Sequence, residues 1–318
     1  MWWLVVTLLC LGVFLHLLPF YFMLSSSFKT AYELFSNPPT VWPQHPTLTA
    51  WKLVFNLVAA PSGFLNQPFG VYFRNSVVMV VGTLLLSLPV TALAAYANSK
   101  LQRGPIARWL FLFFIGTLMV PSAVTLIPQL LMVVHFPYAF TTVPTLPGSE
   151  DNLPAISLFD TAWAVIIPAG FNAFNFLMFK GFFDGIPNSV IQAARVDGGS
   201  ELNIFRRIVL PMSIPVIAVA AYFQFVGAWD NNFLWVSVVF RSPENTPTSL
   251  AIYNLITQYT QAGLLNPATA SARQSLVNAG FSYNGLIVLG LLQTFPTFLM
   301  FILCREFLLK GTRIRGLK

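Results

Sequence analysis

The chain has 318 residues, is 56% hydrophobic and only 8% charged, and has a mean hydropathy of +0.71. That balance excludes a water-soluble domain and fits a chain that crosses a bilayer several times. The formal charge of +7 then records basic cytoplasmic loops more readily than an anionic partner.

Residues 2–24 are apolar throughout and as a helix would extend about 35 Å, enough to cross a ~30 Å hydrocarbon layer. They lack the basic start and small-residue cleavage site of a secretory signal, and they are too long for its apolar core, so a retained first span is expected. Only Met1 precedes it, an abrupt start that leaves room for an upstream extension. From Ser25 to Phe73 the chain turns polar, and Pro38, Pro39, Pro43, Pro46, Pro61 and Pro68 cut a long external loop into short pieces. Residues 75–98 form the second span. Lys100, Arg103 and Arg108, around Gly104 and Pro105, make a short basic loop of cytoplasmic character.

The third span, 109–134, contains Pro121 and Pro128 and should be kinked. The stretch 135–160 carries Glu150, Asp151 and Asp160 without a basic residue, and is expected outside. The fourth span covers 161–183, a polar run 184–211 lies inside, and the fifth span covers 212–240. A second external loop then leads to the sixth span, 284–304, and a tail, 305–318, with Arg305, Lys310, Arg313, Arg315 and Lys318. This arrangement leaves only Lys29, Lys52, Arg74, Arg241 and Arg273 outside, in much longer loops. The expected fold is an all-α membrane protein: one transmembrane domain over 1–318, six transmembrane helices, both termini cytoplasmic, and a helix-turn-helix loop between spans four and five.

The polar run has its own local logic. Pro187 suits the first turn of a helix over Asn188 to Val196. Within it, Ala193 and Ala194 add helix propensity without bulk, so another surface can come close. Asp197, Gly198 and Gly199 end the helix, with Gly198 expected at positive φ. Ser200 is placed to cap a second helix, with Glu201 at its positive end and Leu202, Phe205 and Val209 at helical spacing until Pro211 halts it.

Gln192, Ala193 and Ala194, then Asp197 and Gly198, then Ile208, Leu210 and Pro211, resemble the EAA loop of bacterial ABC importer permeases. That pattern is Glu-Ala-Ala, three residues, Gly, nine residues, Ile-x-Leu-Pro. Further likeness to the maltose-type carbohydrate permeases lies in Ser27-Phe28-Lys29, Asn75-Ser76, Ala94 to Ala97, Met119-Val120-Pro121, Ile127-Pro128, Phe182-Phe183, Ile186-Pro187, and Gly311 and Gly316 of the tail. Two departures stand out. Gln192 replaces the glutamate, and the Trp-Asn-Asp/Glu-Phe motif of the fifth span appears as Trp229-Asp230-Asn231-Asn232-Phe233, one residue longer.

The resemblance implies a permease subunit of a binding-protein-dependent ABC importer in a bacterial-type inner membrane, carrying a sugar or oligosaccharide by alternating access. Its partners would be a homologous permease, two cytoplasmic ATPase subunits and an extracytoplasmic solute-binding protein. The chain would bind no cofactor, ATP and Mg belonging to the ATPases. Ile191, Gln192, Ala193, Ala194, Arg195, Asp197, Gly198 and Glu201 would meet the ATPase or form the bend. The basic tail would touch either the ATPase or anionic lipid.

Polar groups within spans are the candidates for a substrate pathway: Asn172, Asn175, Gln224 and Gln293, with Trp229, Asp230 and Asn231 nearer the outer interface. Amides and the ring faces of Phe174, Phe225 and Trp229 suit a neutral polyol, although amides also tie helices together. No metal site is expected from His16, His45 and His135, which are scattered, nor a disulfide from Cys10 and Cys304. No phosphate-cradling glycine loop is present, so the chain is not expected to be an enzyme. An ion-coupled secondary transporter is the alternative; it needs intramembrane carboxylates, for which Asp230 is the sole marginal candidate.

Overall fold

A computed structural model describes residues 2–36, 38–59, 67–102, 104–136, 157–229, 233–261 and 282–310, and these fold into helices. In chain order they are α1 (Trp2–Ser27), α2 (Ala31–Leu34), α3 (Thr49–Ala59) and the long α4 (Phe69–Leu101), whose last turn, Ala97–Leu101, widens into a π-helix. Then follow α5 (Pro105–Thr117), α6 (Ser122–Val134), α7 (Trp163–Ile166), α8 (Ala173–Asp184) and α9 (Asn188–Val196). The rest are α10 (Glu201–Met212), α11 (Ile214–Trp229), α12 (Phe233–Val239), α13 (Thr248–Gln261) and α14 (Tyr283–Lys310). Among the described residues, α1, α4 and α14 are each long and apolar enough to cross a bilayer. Counting each of the bent pairs α5–α6 and α10–α11 as one span would raise the number to five.

Several expected spans are broken rather than kinked. α5 and α6 meet at 101°. Pro121 occupies the N-cap of α6 with ψ at 137° and, lacking an N–H, cannot extend α5. The expected fourth span is interrupted where α7 gives way to a 3-10 turn, Pro168–Gly170, and extended residues Phe171 and Asn172. Asn172 restarts the helix: its side chain accepts the Asn175 N–H at 2.9 Å, satisfying one of the open donors of α8. Pro211 does not halt the helix before it. The π-turn Phe205–Val209 shifts the bonding register ahead of the ring, and the 80° bend falls at Ser213 instead.

The chain divides into two compact units, Met1–Arg74 with Thr246–Pro296, and Asn75–Asn245 with Thr297–Lys318. In the first, Ala50 and Val54 of α3 pack with Phe69 and Tyr72 of α4, Ala251, Ile252 and Leu255 of α13, and Val288 and Leu289 of α14. The loop between α1 and α3 is organised by the buried Glu33. The carboxylate accepts the Gln44 N–H at 2.7 Å and the Thr40 hydroxyl at 3.0 Å, and these bonds, the Gln44 one foremost, hold its pKa below the usual carboxylate range against the effect of burial. The Lys29 ammonium donates to the Thr40 carbonyl, and Asn284 Nδ2 donates to the Lys29 carbonyl at 3.1 Å.

The second unit is built on rings. Phe176, Phe179 and Phe183 of α8 pack against Ala92, Ala95 and Tyr96 of α4 and Val216 and Ala220 of α11, the alanines giving the rings room. α4 and α7 approach closely at Gly82, where an added Cβ would lie 2.5 Å from Ile166 Cδ1. One end of this unit is fixed by Asp160, which sits at φ 58°. Its carboxylate accepts the backbone N–H groups of Arg241 at 2.9 Å and Ser242 at 3.1 Å together with the Ser242 hydroxyl, and its carbonyl accepts Asn245 Nδ2 at 2.8 Å. The adjacent turn holds α4 as well, since Asn75 Nδ2 donates to the Glu244 carbonyl at 2.6 Å.

Burial would raise the Asp160 pKa, but the Ser242 hydroxyl and the Arg241 and Ser242 N–H groups hold it below the usual aspartate range. Its stabilisation is therefore in force above about pH 4 and fades as pH falls through the lowered value. Asp160→Ala should cost about 1.5–3 kcal/mol, the worth of a lost hydrogen bond to a charged group. Asp160→Asn, which tolerates positive φ, should cost less. Thermal unfolding in detergent at pH 7 is the check, and equal losses would refute the assignment.

Candidate functional site

The bend between α9 and α10 is set by backbone chemistry. Gly199 N–H bonds to the Ala194 carbonyl at 2.9 Å, and Gly198 N–H to the Arg195 carbonyl at 3.1 Å. These are the paired closures of a Schellman turn. Gly198 stands at φ 81°, as its position predicts, with open space where a Cβ would be. Gly199 is needed for a different reason: a Cβ there would lie 2.8 Å from the Ala194 carbonyl oxygen. Ser200 has the extended backbone of an N-cap, but its side chain makes no capping bond; its carbonyl accepts the Ile204 N–H at 2.9 Å. On α10, Ile204, Phe205 and Val209 face inward, whereas Leu202 is exposed.

Side chains then bind this bend to the end of α4. Arg195 Nε donates to Glu201 Oε1 at 2.6 Å, and Tyr96 of α4 donates its hydroxyl to Glu201 Oε2 at 2.9 Å. The hydrogen bond from Arg195 foremost, then that from Tyr96, lowers the Glu201 pKa against the effect of burial, so the carboxylate is ionised throughout the neutral range. Arg195 also reaches the Lys100 carbonyl at 3.4 Å. Lys100, only 6% exposed, donates to the Ile186 carbonyl at 2.7 Å and to Asn188 Oδ1 at 3.1 Å, holding the other end of α9. Ser99 donates to Asp184 Oδ1 at 2.6 Å, and Lys180 pairs with the same carboxylate at 2.7 Å.

The geometry divides the eight loop residues singled out by sequence. Ile191 is an inward anchor, 2% exposed, and Ala194 packs half-buried against the same core. Arg195 and Glu201 are joined to each other. Gln192, Ala193, Asp197 and Gly198 face outward, with Val196 beside them 88% exposed. The sequence marks Gly199 as part of the helix end but not its close approach to Ala194, and gives Tyr96 and Lys100 no part in the bend. These two lie 86 to 105 residues from their partners, and no local pattern marks their reach.

A cavity of about 290 Å³ lies at the break between α7 and α8. Asn172 and Gln224 line it, joined by Thr83, Gln129, Phe223 and Trp235 among others. Asn175 sits behind Gln224 and donates Nδ2 to its Oε1 at 2.8 Å. Trp229 is fully buried and stacks on Phe225 with ring centroids 5.9 Å apart, and it does not line the cavity. Phe174 meets Phe223 edge-on at 5.9 Å. Gln293 lies half-buried on α14 in the other unit, and Asp230 and Asn231 fall outside the described residues.

Protein LplC of Bacillus subtilis is 28% identical over 303 residues, which is 95% of this chain and 89% of LplC. The polygalacturonan/rhamnogalacturonan transport system permease protein YtcP of the same organism is 31% identical over 213 residues, 67% of this chain and 63% of its own. The arabinooligosaccharides transport system permease protein AraQ of Halalkalibacterium halodurans is 24% identical over 306 residues, 96% and 92% of the two chains. A solved bacterial ABC transporter involved in the import of the acidic polysaccharide alginate contains a chain of the same fold, with TM-score 0.69, 20% identity and 95% of each chain covered. A bacterial alginate ABC transporter in complex with alginate pentasaccharide-bound periplasmic protein gives a TM-score of 0.62 at 15% identity, covering 96% and 93%. Residues 87–306 match the binding-protein-dependent transport system inner membrane components, and the chain belongs to that family.

Proposed function

We propose that the chain is one of two permease subunits of an ATP-driven importer of a sugar or oligosaccharide, and that α9 is the helix through which ATPase subunits move it. The observation that carries this is the way α9 is held. Its outward face is small and nearly uncharged, while Ile191, Arg195 and Asn188 fasten it to the body of the second unit at its middle and both ends. A helix so fixed transmits displacement instead of absorbing it. ATP closing two partner subunits would drag α9, and with it α4 through Lys100 and Tyr96.

Six spans are assigned: α1, α4, α5–α6, α7–α8, α11 with α12, and α14. Both termini and the α9–α10 bend lie on the cytoplasmic side, supported by the bias of lysine and arginine toward those segments. The external loops, including the one gathered around Glu33, face a solute-binding protein. A homologous permease completes the pathway. Saccharide transport is supported by the relatives that carry saccharides, and ATP and Mg are held by the partners.

Three measurements test this. Reconstituted with its partner permease, binding protein and ATPases, the complex should import only with hydrolysable ATP, and import persisting with an ATPase that lacks its catalytic carboxylate would sink the reading. Gly198→Val forces a β-branched residue to positive φ at a cost of about 1–2 kcal/mol. It should lower import at least tenfold while ATP hydrolysis continues, and normal import would show that the turn is not needed. Lys100→Met should likewise separate hydrolysis from import, with the complex still assembled by size-exclusion chromatography; unchanged sugar per ATP would remove Lys100 from the linkage.

A further inference from the structure

α10 meets α11 at 80°, so where α11 crosses the bilayer α10 runs nearly along its surface. The inward side of α10 is filled by Ile204, Phe205 and Val209. Its outward side carries Leu202, Arg206 and Leu210 four residues apart, with Arg207 beside them, and the exposed Met212 and Ile214 lead into α11. Neither arginine makes a hydrogen bond or an ion pair among the described residues. The carboxylates at this end of the unit are engaged elsewhere, Glu201 by Arg195 and Tyr96, and Asp184 by Lys180 and Ser99. Asp197, on the outward side of α9, pairs with neither arginine. Two cations without a counter-ion are thus set in a row of exposed apolar side chains, at the foot of an apolar helix.

We infer that α10 is an interfacial helix whose Arg206 and Arg207 bind the phosphates of anionic phospholipids in the cytoplasmic leaflet, an inference that rests on the span and side assigned to α11 and the α9–α10 bend above. Six residues separate Arg206 from Met212, about 9 Å of helix, and at 80° to an upright α11 only about 2 Å of that is depth. Both guanidinium groups therefore stay at the level where the span begins, which is the level of the headgroups. The arginine stems run beside Leu202 and Leu210, whose side chains suit the acyl boundary, while the charged heads reach the phosphates. A guanidinium presents paired donors that match a phosphate. A cytoplasmic protein fits this face less well, because apolar side chains continue along it into a span, where lipid covers them. Glu201, at the start of the same helix, is bonded to Arg195 of α9 and Tyr96 of α4, so a lipid that grips α10 also steadies the bend.

The test uses the complete transporter in phosphatidylcholine vesicles that contain phosphatidylglycerol with a photoreactive headgroup, or phosphatidylcholine tagged in the same way, with crosslinks mapped by mass spectrometry of peptides. Phosphatidylglycerol should crosslink to Glu201–Met212 in preference to phosphatidylcholine. Arg206→Gln and Arg207→Gln should each lower that preference about fivefold, and the two together roughly 25-fold, the share of one and of two cations at an anionic surface. Arg206→Lys with Arg207→Lys keeps the charge and should restore most of it. An unchanged preference in the double glutamine variant, or a double lysine variant as weak as the glutamine one, would overturn the site. So would loss of the ATPase subunits from the double glutamine variant with the lipid preference intact, which would assign the arginines to a protein contact. The side is read separately: Gln102→Cys, exposed at the end of α4, should react with an impermeant maleimide in inverted vesicles and not in intact cells, above the background of Cys10 and Cys304. The reverse labelling would sink the assigned topology and the lipid site with it, whereas the expected labelling with an unchanged lipid preference sinks the lipid site alone.

Discussion

A backbone group within a hydrocarbon layer has no water to fall back on, so every interruption of a spanning helix must be closed by the protein itself. This chain interrupts its helices repeatedly, and the side chains that close the breaks explain much of its architecture. Asn172 closes the start of α8 with its amide oxygen. Ser213, at the 80° bend, bonds through its N–H to the Val209 carbonyl at 3.0 Å, and its hydroxyl donates to the same oxygen. Lys100 reaches from the π-turn of α4 to the Ile186 carbonyl, where α8 has already ended. A polar side chain that would be a burden in an unbroken span is required where the span stops.

The same closures place the cavity and the α9–α10 bend. The break between α7 and α8 at Pro168 to Asn172 leaves the gap that becomes the cavity, and Asn172, which repairs the break, also lines it. Ending α8 at Asp184 and turning at Pro187 sets α9 across the end of α4, within range of Tyr96 and Lys100. The cavity and the α9–α10 bend of the second unit are therefore consequences of one strategy: short helices joined by internally satisfied bends. Close approach of α4 and α7 at Gly82 shows how tightly the result is drawn, since even one methyl group would press on Ile166.

How much of this can be read in the chain follows from the range of the forces involved. The helix over Asn188–Val196, its end at Asp197 and the positive φ at Gly198 depend on neighbours within six residues, and are legible. The long apolar helices α1, α4 and α14 are legible from composition, although α4 begins at Phe69 and not at Asn75, and α14 runs past Cys304 to Lys310. The break at Pro168 was hidden because prolines are tolerated in membrane helices, so one proline does not announce whether it kinks a span or divides it. Nor could local pattern show that Glu201 answers to Arg195 and Tyr96, or that the polar loop before α3 folds around Glu33. Those bonds join residues that only the fold brings together, and Gln192 illustrates the converse: its departure from the expected glutamate is obvious, yet it sits on the outward face and alters nothing within the chain.

α4 is held at both ends. Asn75 ties one end to the turn governed by Asp160; at the other, Tyr96 is tied to α10 through Glu201 and Lys100 to the start of α9, the latter about 38 Å further along at 1.5 Å per residue. A strut clamped this way has no preferred direction of signalling. If closure around α9 shifts the Asp160 turn, then a protein resting on that turn must alter the affinity of whatever grips α9 by the same factor, because linkage between two sites is reciprocal. Under that condition, binding at one end of α4 is felt at the other through a single helix.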